Sequence, residues 1–304
     1  MDKPKILFIV DVPNWAFDFR AKKWQQLLSD KFDIDILYLK DNENIKSSFF
    51  KVYDGYVFFF YKAIKSKVLQ NINIPLYKTA VCINSEKWRW EGSNYAFNRN
   101  LKGVKLLIGC NNNIVKEFSK YHNNIIKVTQ CVDDSIFYPI DFVKKSNKKM
   151  KIGWCGNSNT PEKNIQYLIT ACDGLSGIEL DIQTKLSQQK LNLWYNTLDL
   201  IVCVSNYEGG PNMLLEAGAC KIPVITPQCG ISDELIQHNY SGFIIPHNRL
   251  EVLIKSILIL KKNSNLRKTM SDNLYNEVKS KWTYEKKLPE ITHALNKLIE
   301  KDIL

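Results

Sequence analysis

At 304 residues, 45% hydrophobic and 24% charged, the chain is a globular protein with room for two ordinary domains. Its longest apolar run outside the C-terminal half, about residues 56–61, falls far short of the roughly 20 residues that span a bilayer. The apolar stretch at residues 6–10 is too short for a signal peptide, so a cytoplasmic location is expected, with the inner face of a membrane as a peripheral option. None of the eight cysteines forms a Cys-x-x-Cys pair, and Cys82, Cys110 and Cys203 lie in apolar runs, so neither disulfides nor structural zinc are expected. The net charge of +11 is uneven: residues 1–150 hold 25 of the 42 basic side chains and 15 of the 31 acidic ones. That excess suits an anionic partner such as a membrane surface, a phosphate-bearing glycan or nucleic acid. It suits a solvated lysine-rich surface equally well.

Residues 5–10 read as a first strand, followed by a loop at 11–18 and a helix over 19–28, the opening of a doubly wound domain. Residues 32–39 alternate as a second strand. The Asp33-Ile34-Asp35 it contains is explained by that alternation and is not assigned to a metal. Further strands are expected at 56–61, 79–83, 104–108 and 125–129. Between the strands expected at 79–83 and 104–108 lie residues 86–99, dense in aromatics and arginine. Its Trp88, Trp90, Tyr95 and Phe97 either stack sugars or bases beside basic groups or pack over the sheet edge.

A first domain is expected to close at 141, with residues 142–150, rich in lysine and without apolar periodicity, as the linker. A second begins with a strand at 151–155, a loop at 156–164 and a helix through about 172. Thr160 before Pro161 is a strong helix-start signal. Lys163 in that first turn opposes the helix dipole, which suggests an anion beside it; a solvent-facing lysine, at a cost of only tenths of a kcal/mol, is the alternative.

Residues 198–204 form a short, β-branched run typical of a buried parallel strand. They lead into Ser205-Asn206-Tyr207-Glu208-Gly209-Gly210-Pro211-Asn212-Met213-Leu214-Leu215-Glu216-Ala217. The glycines allow close backbone approach, Pro211 suits a first helical position, and the free amides that follow form a ready phosphate site. Two carboxylates frame the stretch. Glu216 lies among apolar neighbours and needs hydrogen-bond donors, such as sugar hydroxyls, to offset its burial. A strand at 223–226, a Gly230 turn, a short helix from 233, the segment 242–246 and amphipathic helices from 250 complete the second domain, over 151–285. Residues 286–304 form a C-terminal helix with the option of crossing back to the first domain.

Together these motifs resemble the nucleotide-sugar half of a retaining GT-B glycosyltransferase of the family 4 type. The resemblance rests on Glu208 and Glu216 inside Ser205-x-x-Glu-Gly-Gly-Pro-Asn-x-Leu-Leu-Glu-Ala, on Val132-Asp133 with Phe137 and Pro139, on Gly156 with Lys163, and on residues 230–234 with Gly242 and Pro246. It covers residues 125–250 well and the first 120 in layout alone. It implies an α/β fold, two doubly wound Rossmann-like domains facing a central cleft, and transfer of a sugar from an NDP-sugar to a hydroxyl acceptor, with no cofactor and no metal. Glu208 would be the catalytic residue and meet the transferred sugar. The donor would be held by Gly156, Asn157, Lys163, Ser205, Glu208, Gly209, Gly210, Pro211, Asn212, Met213, Leu214 and Glu216, the last on the ribose diol. Acceptor-side candidates are Asp11, Trp15, Ser85, Glu86, Trp88, Arg89 and Arg99.

Three departures stand out. Asn157 occupies a position where many members carry arginine, residues 11–18 replace a glycine-rich loop, and the segment 82–86 lacks the histidine often found there. The acceptor class implied is a cell-envelope glycan or lipid; hydroxylated bases of DNA are the alternative within the same chemistry, and a non-catalytic nucleotide-sugar-binding module is the alternative outside it. An oxidoreductase is disfavoured because no Gly-x-Gly-x-x-Gly follows either first strand. The four histidines have no metal spacing.

Overall fold

The computed structural model describes residues 2–40, 45–69, 71–141 and 149–300. Most of the expected linker, residues 142–148, lies outside the described residues. The chain divides into two compact units, Met1–Val128 with Leu288–Leu304, and Thr129–Lys287.

The first unit is built from β1 (Lys5–Val10), α1 (Ala16–Leu27), β2 (Asp33–Tyr38), β3 (Gly55–Phe58), β4 (Thr79–Ile83), α2 (Ser93–Asn100), β5 (Leu106–Gly109), α3 (Asn112–Phe118) and β6 (Ile125–Lys127). Its six strands are ordered β2-β1-β3-β4-β5-β6, and every pairing is parallel. Apart from Lys5 and Thr79 at their starts, strands β1, β3, β4 and β5 carry no charged, hydroxyl or amide side chain other than the Tyr56 phenol and are almost wholly buried, as a parallel sheet covered on both faces requires. Helix α1 starts three residues earlier than the sequence suggests. Asp18, fully buried, accepts hydrogen bonds from the Asn14 amide at 2.7 Å, the Lys22 ammonium at 2.8 Å and the Tyr38 hydroxyl at 2.8 Å, and these ties draw the loop into the first helical turn. Burial pushes that carboxyl up, but the three donors outweigh it and hold it below its ordinary range. The paired aspartates of β2 are likewise structural: Lys5 Nζ lies 3.8 Å from Asp33 and 3.3 Å from Asp35, which also accepts from the Tyr53 hydroxyl.

The second unit contains β7 (Met150–Cys155), α4 (Ile165–Cys172), β8 (Ile178–Gln183), α5 (Gln188–Asn196), β9 (Leu200–Val202), α6 (Asn212–Ala219), β10 (Val224–Pro227), α7 (Ser232–Leu235), β11 (Phe243–Ile245), α8 (Leu250–Lys262) and α9 (Ser264–Lys281). Helix α10 (Tyr284–Ile299) follows, and from Leu288 onward it belongs to the first unit, where Leu298 packs against Gly55. The second sheet is ordered β11-β10-β9-β7-β8, again wholly parallel. The chain goes from β7 to β8 on one side and then to β9 on the other. Strand order therefore reverses between β7 and β9, and in open α/β sheets ligands bind outside the carboxyl ends of strands at such a reversal. Residues 156–163 leave β7 there, and residues 203–211 leave β9. Among the described residues, no helix is long and apolar enough to cross a membrane.

Two local expectations are corrected. The helix expected from 161 is a 3-10 turn, Pro161–Lys163, separated from α4 by Asn164 in the left-handed region at φ 52°. Asparagine tolerates that conformation, and the resulting kink sets Lys163 apart from the α4 face. Pro211 is the cap of α6 rather than its first helical residue.

Candidate donor site

Lys163 and Glu208 meet beyond the carboxyl ends of β7 and β9. The Lys163 ammonium donates to Glu208 Oε1 at 2.5 Å, with the two side chains 28% and 13% exposed. The anion that the sequence suggests beside Lys163 is the Glu208 carboxylate. Burial works against the lysine charge, but the adjacent carboxylate outweighs it and raises the ammonium above its ordinary range. A backbone bond locks the two loops together, the Asn206 amide donating to the Glu162 carbonyl at 2.8 Å.

The glycines after Glu208 and Gly230 behind them meet different constraints. Neither Gly209 nor Gly210 has positive φ. A Cβ on Gly210 would lie 2.2 Å from Gln130 Cγ, so what is needed there is space. The conformational requirement sits at Gly230, with φ +59°, where a Cβ would lie 2.7 Å from the Gly209 carbonyl oxygen. Gly230 therefore supports the loop from behind, which gives a physical reason for its place among the motif residues.

Glu216, one turn into α6, is partly buried. The donor that meets it is the Tyr195 hydroxyl from α5, 2.8 Å from Oε2. Burial raises its carboxyl to about 7, against a smaller opposing pull from that hydrogen bond. Sequence reasoning anticipates the need for a donor but not this tyrosine, which is wholly buried and packs edge-on to Phe137.

Of the other donor-side residues, Ser205 is buried beneath the loop, and Met213 and Leu214 place their side chains in the core and leave only their backbone to a ligand. Pro211 is buried and Asn212 exposed. Asn157 lies in an exposed loop after Gly156, where its Oδ1 accepts from the Asn159 amide at 3.1 Å. It supplies no charge.

The acceptor-side candidates all lie in the first unit, at the carboxyl ends of β1 and β4 or on α2. Asp11 accepts from the Val12 amide at 2.9 Å, and Ser85 from the Lys87 amide at 3.2 Å. Trp15 is 47% exposed, whereas Trp88 is buried. Glu86, also buried, accepts from Arg89 Nε at 2.7 Å, and the Arg89 guanidinium lies 4.9 Å from the Trp88 ring. Arg99 donates to the Tyr95 hydroxyl at 3.1 Å. Of the aromatics in residues 86–99, Trp88 therefore packs inward, while Trp90 and Tyr95 are exposed. Among the described residues, no three His, Cys, Asp or Glu side chains gather as metal ligands would.

Residues 141–277, which contain Lys163, Tyr195, Glu208, Glu216 and Gly230, match the family model described as Glycosyl transferases group 1. An uncharacterized glycosyltransferase of Methanocaldococcus jannaschii is 26% identical over 189 residues, 62% of this chain and 52% of that protein. One of Haemophilus influenzae is 27% identical over 117 residues, 38% of this chain and 32% of that protein. The chain spans a quarter to about half the length of the curated relatives it matches. Among solved structures, sucrose-phosphate synthase from Thermosynechococcus elongatus superposes with a TM-score of 0.81 at 12% identity, over 97% of this chain and 99% of that one. Anabaena HepE, in complex with UDP-glucose, superposes with a TM-score of 0.76 at 13% identity, over 96% and 99%. At such identities the likeness is one of fold, and that fold is the α/β GT-B type with two Rossmann-like domains.

Proposed function

We propose that the chain is a retaining, metal-independent glycosyltransferase that moves a hexosyl or pentosyl group from a nucleoside-diphosphate sugar to an acceptor hydroxyl. The observation that carries this reading is the Lys163–Glu208 pair at the strand-order reversal, inside the segment that matches the family model. In the reaction the bond from the anomeric carbon to the diphosphate breaks and one to the acceptor oxygen forms. The acceptor proton leaves to the departing diphosphate. Negative charge grows on that leaving group, and Lys163 together with the free amides opening α6 stabilises it without a metal. Glu208 then accepts hydrogen bonds from the sugar, and Glu216 from the ribose diol. Support for the donor class comes from the shared fold of HepE, solved with UDP-glucose. For the acceptor the reading is a cell-envelope glycan or lipid bearing negative charge, met by the basic first half of the chain.

Screening UDP-, GDP-, ADP- and CDP-sugars for thermal stabilisation and for donor hydrolysis tests the reading directly. One nucleotide class should stabilise the protein, and its sugar should be released or transferred equally well with and without EDTA. Stabilisation by none of the four sinks the donor assignment, and loss of turnover in EDTA sinks metal independence.

A further inference from the structure

Behind Glu216 lies a directed hydrogen-bond chain that joins three elements of the second unit. Tyr195, on α5, has a single hydroxyl proton, and it is given to Glu216 Oε2 on α6 at 2.8 Å. The contact between that hydroxyl and Cys155 Sγ, 3.0 Å away at the end of β7, must then run the other way, thiol donating to phenol oxygen. Burial pushes both the thiol and the phenol upward, so both remain protonated around neutrality and the chain keeps its direction. The Tyr195 ring cannot swing away, because it is fully buried between Trp194 and Phe137. Among the described residues, the second oxygen of Glu216, Oε1, has no hydrogen-bond partner.

We propose that Tyr195 is a positioning residue that anchors Glu216 through Oε2, so that Oε1 is held ready to accept hydrogen bonds from the vicinal diol of a nucleotide ribose. This rests on the nucleotide-sugar reading above. A carboxylate with one oxygen fixed has already lost the rotational freedom that binding would otherwise cost. A site built to bond a hydroxyl also rejects the analogue that lacks it, because a buried polar group is left unpaired. The anchor therefore acts on ribose recognition rather than on affinity for the diphosphate.

The test compares the affinity of a ribonucleoside diphosphate with that of its 2′-deoxy counterpart by calorimetry, using whichever of UDP, GDP, ADP and CDP the wild-type protein binds. Wild type should prefer the ribo form. Tyr195→Phe, which removes one oxygen and keeps the ring, should cut that preference about tenfold while leaving the 2′-deoxy affinity within about twofold. Binding of none of the four diphosphates would refute the nucleotide reading itself. Binding without ribose preference in wild type, or an equal loss of both forms in Tyr195→Phe, or an undiminished preference there, overturns the role of Tyr195. A second measurement needs no variant. Among the described residues, the titratable groups facing Glu216 are Tyr195 from α5, Cys155 from the end of β7 and Cys220 at the C-terminal cap of its own helix, and none of them is a cation. The ribo preference of wild type should therefore grow as pH rises through about 7, where Glu216 ionises. Taking the ratio cancels the titration of the phosphates, and a flat ratio between about pH 6 and 8 also overturns the proposal.

Discussion

Removing either partner of the Lys163–Glu208 pair should expose how strongly each depends on the other. An exposed ion pair contributes about 0–1 kcal/mol. This one is mostly buried and directly hydrogen-bonded at 2.5 Å, which places it with charge-assisted bonds of about 1.5–3 kcal/mol. A double-mutant cycle through Lys163→Met, Glu208→Gln and the double variant, read by urea denaturation without ligand, should return a coupling energy in that range. Added salt should reduce it little, since burial limits screening. Coupling below about 0.5 kcal/mol would show that the contact is incidental and that neither residue waits on the other. In function the variants should diverge. Glu208→Gln should lower sugar transfer by about 10²–10³-fold, the cost of losing one preorganised group at the reacting centre. It should hold nucleoside diphosphate at least as well as wild type, because Lys163 no longer has a carboxylate to leave. Lys163→Met should lose diphosphate affinity and turnover together. Near-normal turnover in Glu208→Gln with intact folding would refute its assignment.

Glu216 predicts an inverted pH dependence of stability. Its folded-state value of about 7 lies above the ordinary carboxylate range, so between about 4.5 and 7 the folded protein binds more protons than the unfolded chain. Its contribution to stability is therefore greatest below about pH 4.5, falls by roughly 1–3 kcal/mol as pH rises to about 7, and is flat beyond. Glu216→Gln should remove that decline, which denaturation at pH 5 and pH 7.5 would reveal; an unchanged slope in the variant would contradict the placement. Gly230→Ala should cost roughly 2–4 kcal/mol, since the new methyl meets the Gly209 carbonyl at 2.7 Å in a left-handed backbone, and calorimetric melting would show it. Gly210→Ala, where the obstacle is the Gln130 side chain, should be relieved by Gln130→Ala, whereas the same second change should do nothing for Gly230→Ala.

Where a segment's own chemistry decides its structure, the sequence is legible. Strands β1, β4, β7 and β9 are short β-branched or apolar runs, and only burial between two helical layers satisfies them. The paired carboxylates and Lys163 are visible because each is locally improbable: an acid on an apolar helix, a cation at a helix start. Errors arise where the deciding contact lies far along the chain. The early start of α1 depends on Asp18 reaching Tyr38, and the break before α4 depends on one asparagine's backbone angle. Strand β8 lies at a sheet edge with partly exposed residues along its length, so its apolar signal is weak. Tyr195 belongs to the site only through its three-dimensional contact with Glu216, and no spacing rule joins it to Glu208 or Glu216.

The two carboxylates of the site are held by opposite means, one by a cation and one by a phenol, which supports the separate tasks proposed for them. Glu208 is matched by a cation, so any ligand that takes Lys163 away must bring negative charge to the lysine and hydrogen-bond donors to the acid. A sugar diphosphate offers both at once, hydroxyls on one side of the anomeric bond and phosphate on the other. Glu216 is matched by a neutral phenol, and bringing an anion beside it would leave a partly buried carboxylate facing like charge with no cation to offset it. Only neutral donors suit its free oxygen. Hydroxyls at two ends with charge between them, the order of groups along a nucleoside-diphosphate sugar, fit both carboxylates, as the proposed function requires.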